Sequence, residues 1–162
     1  MSQRNQIAMK AREELGYVEG PADNQTKYQK TNQAWCGAFC NWVFKKVGVS
    51  LPDCTSTLAG ANAFKKMKRW QDAETATPEI GDVVFFDFPG DGVDRISHIG
   101  IVVGLGDGWV KCIEGNTAGD KKKSTDERNG GEVAQKIRAY KKVNEKKLPV
   151  FVVGFGKPEF TD

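Results

Sequence analysis

Apolar residues recur at three- and four-residue spacing from Phe39 through Trp42, Val43, Phe44 and Val47. That is the stripe of an amphipathic helix, and Gly48 supplies a C-terminal stop. A second helix is expected over 56–64, capped at Ser56 or Thr57, with small residues that allow close packing. A modest helical pattern also runs through Ile7, Ala11 and Leu15. Between and beyond these the pattern changes to nearly continuous β-branched and aromatic runs at 83–86, 95–104 and 109–114, which read as buried strands. The segment Gly104-Leu105-Gly106-Asp107-Gly108 makes a hairpin the natural connection of the last two. A loop of three or five residues would centre the pairing on Gly106 and set His98 directly opposite Glu114, with Cβ atoms about 4.5–5.5 Å apart. A two- or four-residue loop would move the register by one and break that pair.

The chemistry-bearing residues fall on this scaffold. Cys36 precedes the apolar stripe and so opens the helix, where unsatisfied N–H groups and the positive end of the dipole favour an anion. A thiolate is the attacking species in cysteine catalysis, and a free thiol with a pKa near 8.5 needs such a helix start or an imidazolium beside it. His98 is the chain's sole histidine. A carboxylate facing it would hold the ring in the tautomer that accepts the thiol proton and stabilise the imidazolium formed. Glu114 is the first candidate, and Asn116, two residues on, is a neutral alternative orienter. Each residue has a plainer reading beside the catalytic one. Cys36 is equally a small residue in an apolar helix, His98 a hydrogen-bonded core histidine, and Glu114 a strand-end carboxylate in water.

Four segments in order carry a family resemblance. Trp35-Cys36-Gly37-Ala38-Phe39, Gly81-Asp82-Val83-Val84-Phe85, Ser97-His98-Ile99-Gly100-Ile101-Val102 and Ile113-Glu114-Gly115-Asn116-Thr117 resemble the motifs of CHAP domains, the cysteine- and histidine-dependent amidohydrolases/peptidases. Val133, Arg138 and Val153-Gly154-Phe155-Gly156 look like that family's last strands. The resemblance spans nearly the whole chain. It implies an α+β, papain-like (NlpC/P60-type) fold with helices on a central antiparallel sheet, and peptidoglycan as substrate. It also implies Cys36 as nucleophile, His98 as base and Glu114 as third member, with Asn116 beside it. Some phage lysins of the family carry an acidic calcium loop before the nucleophile. Here that region offers Asp23 and Asn24 among Gln, Thr and Lys, too few carboxylates for a strong calcium site, so no metal and no cofactor is expected.

Composition fits one catalytic domain over 1–162: 162 residues, 39% of them hydrophobic, without a linker or an internal repeat. The N-terminus has no apolar run of signal-peptide or membrane length, so a host-cytoplasmic location is expected, with access to the wall through a holin or as part of a virion. The net charge of +3 helps approach to an anionic wall; neither nucleic acid nor membrane is expected as a partner, and the chain is read as a monomer. Four cysteines lack the paired spacings of a zinc site and are expected as free thiols. Cys112 shares a strand face with Glu114 and either lines the site or joins the core. Trp35 either walls the substrate groove or packs beneath it; we assign it to substrate binding. Lys121-Lys122-Lys123 reads as a solvated loop or as a substrate rim. The rivals to a wall hydrolase are a non-catalytic wall-binding module and a protein-directed amidase or transglutaminase-like enzyme.

Overall fold

The computed structural model describes residues 1–89, 95–122 and 124–161, so Lys123 of the lysine run lies outside the described residues. Among them are α1 (Gln3–Glu13), α2 (Cys36–Val47), α3 (Thr57–Lys66), and strands β1 (Trp70–Asp72), β2 (Val83–Phe86), β3 (His98–Leu105), β4 (Trp109–Thr117), β5 (Glu132–Ala139) and β6 (Val152–Gly156). The strands form one antiparallel sheet in the order β1-β6-β2-β3-β4-β5. The fold is α+β, as expected.

The local signals explain most boundaries. The Ser56 hydroxyl caps α3 by accepting from the Ala59 N–H. Gly48 closes α2 in the left-handed region at φ 84, and its N–H returns to the Phe44 and Lys45 carbonyls. α1 is shorter than its apolar pattern suggested; it ends at Glu13, leaving Leu15 exposed beyond it. Asp82, just before β2, is a buried latch. Its carboxylate accepts from the Glu79 N–H and pairs with Arg4 of α1 and Lys157 beyond β6, tying both ends of the chain to the sheet.

The sheet has an apolar layer on each face. Alternate residues Val83, Phe85, Ile99, Ile101, Ile113 and Val133 face α1 and α2 and join Ile7, Phe39, Val43 and Phe44 in the larger core. The opposite set includes Phe86, Val102, Val110 and Cys112 and packs against Phe88, Tyr140 and Phe155. His98, Glu114 and Arg138 belong to this second set by alternation.

The β3–β4 hairpin closes differently from expectation. The Gly106 N–H donates to the Trp109 carbonyl, so the loop has two residues, and Leu105 faces Val110. Continued unbroken, that register would place Glu114 on the wrong face. A β-bulge between Val102 and Gly104 adds one residue and corrects it, so that Val102 faces Cys112 and Ile101 faces Ile113. Glu114 then lies beside Gly100, one pleat along the same face from His98. A Cβ on Gly100 would sit 2.8 Å from Glu114 Cγ, so glycine leaves the room in which that side chain lies.

A second glycine seats the helix. A Cβ on Gly115 would come within 2.6 Å of Phe39 Cβ and 3.0 Å of the Trp35 ring. The first turn of α2 therefore rests directly on β4. Gly115→Ala is expected to cost about 1–3 kcal/mol by overpacking, read as a lower denaturation midpoint at unchanged m-value. Full wild-type stability would show that the helix can lift off β4 freely.

Candidate functional site

Cys36 is the first residue of α2, where the first backbone N–H groups have no intrahelical acceptor, and Trp35, its N-cap, gives them no side-chain cap. His98 opens β3 and is fully buried. Its Nε2 lies 2.9 Å from Glu114 Oε1. Its Nδ1 is buried and, among the described residues, has no hydrogen-bond partner of ordinary geometry. Since Nε2 is committed to Glu114, Nδ1 is the ring nitrogen left for Cys36. Burial would lower the pKa of this imidazole, but Cys36 and Glu114 together raise it to about 9.

Glu114 is itself fully buried. Burial opposes its ionisation, yet the Arg138 guanidinium, followed by the His98 ring, holds its carboxyl well below the usual carboxylate range. Arg138 grips it with two parallel bonds, Nε to Oε2 at 2.8 Å and Nη2 to Oε1 at 2.7 Å. Cys112 completes the set, donating from Sγ to Oε2 at 3.0 Å. Cys112 is thus both core and site wall.

Two of the expected site residues act elsewhere. Asn116 is buried in the left-handed region at φ 56; its amide donates to Asn129 Oδ1 and accepts from the Gly131 N–H, closing the β4–β5 connection rather than orienting His98. Trp35 is not a substrate-binding wall. Its indole is fully buried, stacks on Tyr28 at 5.6 Å and donates from Nε1 to Glu19 Oε1 at 3.0 Å. The indole has no open side because Gly115 brings β4 against it.

Glu19 and Arg138 escaped the sequence reading as site residues. Glu19 accepts from Trp35, from the Asn24 N–H and from Lys122 Nζ at 2.9 Å, and against the opposing effect of burial these donors hold its pKa at about 2. Lys122 is therefore part of a bridge between the β4–β5 connection and the segment before Cys36, not a free rim residue. Arg138 shares its face of β5 with Lys136 and Glu132, a pattern that does not separate a buried cation from a solvated one.

Cys36, at the start of α2, thus stands with the buried His98–Glu114 pair on this α+β scaffold. The CHAP domain model matches residues 27–116, and the chain belongs to the CHAP domain family. A search of curated proteins returned no match. Among solved structures it is similar to NlpC2 from Trichomonas vaginalis, at 17% identity and a TM-score of 0.59 over 99% of this chain and 48% of that one. It is also similar to a lipoprotein-like member of the NLP/P60 family from Staphylococcus aureus, at 15% identity and a TM-score of 0.52 over 96% of this chain and 41% of that one. A third likeness is Ly7917, at 13% identity and a TM-score of 0.53 over 96% of this chain and 62% of that one. This chain spans less than two thirds of each, and at these identities the likeness is one of fold.

All four thiols are free. Burial, with neighbouring negative charge, pushes Cys54 up to about 12 and Cys40 and Cys112 well above the ordinary thiol value. Iodoacetamide at neutral pH should therefore alkylate Cys36 before the other three, as located by peptide mass spectrometry. Equal labelling of Cys40 or Cys112 in the folded protein would contradict the site.

Proposed function

We propose that the chain hydrolyses an amide bond of bacterial peptidoglycan, as an N-acetylmuramoyl-L-alanine amidase or an endopeptidase, with Cys36, His98 and Glu114 as catalytic residues. One observation carries the reading: a buried imidazole is locked on Glu114 through Nε2 and keeps Nδ1 for the thiol at a helix start. A core histidine would have both nitrogens satisfied, and a binding module has no need of a raised imidazole pKa.

The chemistry follows from the placement. The proton of the Cys36 thiol passes to His98 Nδ1, and the thiolate attacks the carbonyl carbon, forming an S–C bond. Negative charge gathers on the carbonyl oxygen, where the N–H groups at the start of α2 stabilise it. The C–N bond then breaks as His98 returns its proton to the leaving amine. Next, His98 takes a proton from water, which attacks the thioester and releases the carboxylic acid and Cys36. Glu114 keeps the ring oriented throughout.

The net charge of +3 supports approach to an anionic wall. The reading extends to a monomeric phage lysin, made in the host cytoplasm and acting as one catalytic unit over 1–162. No calcium takes part in it. Before the nucleophile, Glu19 is already paired with the Lys122 ammonium, which leaves Asp23 as the acidic residue of that segment, too few carboxylates for calcium.

Clearing of purified peptidoglycan tests the proposal. Wild-type protein should clear it and release new amino groups, with the cut bond read by mass spectrometry of the fragments. Cys36→Ser should lose at least about 1,000-fold while keeping its circular dichroism, whereas Cys40→Ser should keep most activity. Wall binding without clearing would instead indicate a binding module, and new amide bonds on proteins would indicate a transferase. Clearing should survive EGTA; its loss on chelation, restored by calcium and not magnesium, would overturn the metal-free reading.

Activity requires protonated His98 to deliver a proton to the amine, so kcat/KM should fall as pH rises through about 9. Glu114→Gln removes the anion that raises this pKa, and the alkaline limb should move to lower pH by about one unit or more. An unmoved limb would remove Glu114 from the mechanism.

A further inference from the structure

We propose that Arg138 is a positioning residue of the Cys36–His98–Glu114 site, fixing the plane of the Glu114 carboxylate and balancing its charge while a proton moves between thiol and imidazole. The inference rests on the hydrolase reading for its consequence in turnover, but the geometry stands without it.

Each Glu114 oxygen takes two donors: Oε1 from His98 Nε2 and Arg138 Nη2, Oε2 from Arg138 Nε and Cys112 Sγ. A carboxylate held by a planar two-pronged fork has no free rotation about its last bond, so the direction of its bond to His98 is set by the guanidinium. The guanidinium is in turn fixed from two sides. Its Cζ lies 5.2 Å from the Phe86 ring centroid and 5.1 Å from that of Phe88, and these two rings also lie 5.7 and 5.6 Å from the imidazole. Its Nη2 reaches a second carboxylate, Glu127 Oε2, at 3.0 Å, and Glu127 is braced by Lys136 and by the Thr117 hydroxyl, which donates to its backbone carbonyl.

The charge count gives this arrangement its purpose. With thiol and imidazole neutral, Glu114 and Arg138 cancel; with thiolate and imidazolium formed, two positive and two negative charges cancel again. Proton transfer within the site therefore creates no net buried charge. Without Arg138 the site would hold an uncompensated buried carboxylate, which relieves itself by taking up a proton and so ceases to hold an ionised partner for His98.

The test follows the rate of Cys36 alkylation by iodoacetamide against pH in wild type, Arg138→Met and Arg138→Lys, beside kcat and KM on peptidoglycan fragments. Alkylation needs no substrate, so it reads the site even if the wall is not what the protein cuts; failure of the hydrolase reading would show as wild-type alkylation without hydrolysis. Arg138→Met should lower the neutral-pH alkylation rate about tenfold or more and move the acid limb of the profile to higher pH than in wild type, as Glu114 becomes protonatable. In turnover kcat should fall by a similar factor with KM little changed. Arg138→Lys keeps the charge without the fork, so it should keep the wild-type acid side while losing severalfold in rate; this variant carries the test if Arg138→Met does not fold. Wild-type alkylation rate and pH profile in the folded variants would overturn the proposal.

Discussion

A carboxylate with no solvent exposure survives as an anion only if the protein supplies every partner that water would have given it. Glu114 meets that demand with four donors, and the arrangement of the site follows from how those donors are delivered. His98 comes from the start of β3, Cys112 from the pleat before Glu114 on β4, and Arg138 from β5. Three adjacent strands thus contribute to one carboxylate, so the register of each pair matters to the chemistry. A slip by one residue in either pairing would turn a partner to the opposite face and leave a buried charge unpaired.

The helix carrying the thiol reaches this strand cluster because glycines let backbone meet backbone or ring. Gly115 lets Phe39 and Trp35 lie on β4, and Gly37 lets the Cys54 carbonyl pass where a Cβ would be 1.7 Å away. Trp35 then serves as an internal strut. Its indole joins the helix start to Glu19, and Glu19 joins it through Lys122 to the connection between β4 and β5. The conspicuous aromatic beside the nucleophile has its structural role below the site, and Asn116 closes the same connection from the other side.

Local patterns made the helix of Cys36, its glycine stop, the cap of α3 and the strands of His98 and Glu114 readable in the sequence, because each depends on residues a few positions apart. What was not readable depends on register and reach. The two-residue hairpin loop and its compensating bulge at Val103 produce a pair of shifts that cancel in parity, so His98 and Glu114 share a face through a route that turn residues alone do not reveal. Arg138 sits 24 residues from Glu114 on a strand whose charged residues, Glu132, Lys136 and Arg138, share one face and read from the sequence as a solvated edge. Its role exists only once β5 pairs with β4.

Cys36 and Glu114 together raise the His98 imidazole to about 9, against the effect of its burial. Because His98 is the sole histidine, its ring gives a single titrating set of nuclear magnetic resonance signals in untagged protein. The expected midpoint is near 9, lowered in both Cys36→Ala and Glu114→Gln, with the Nε2 proton remaining on the Glu114 side in the neutral ring. A midpoint near the ordinary imidazole value of about 6.5 in wild type, unmoved by either substitution, would contradict it.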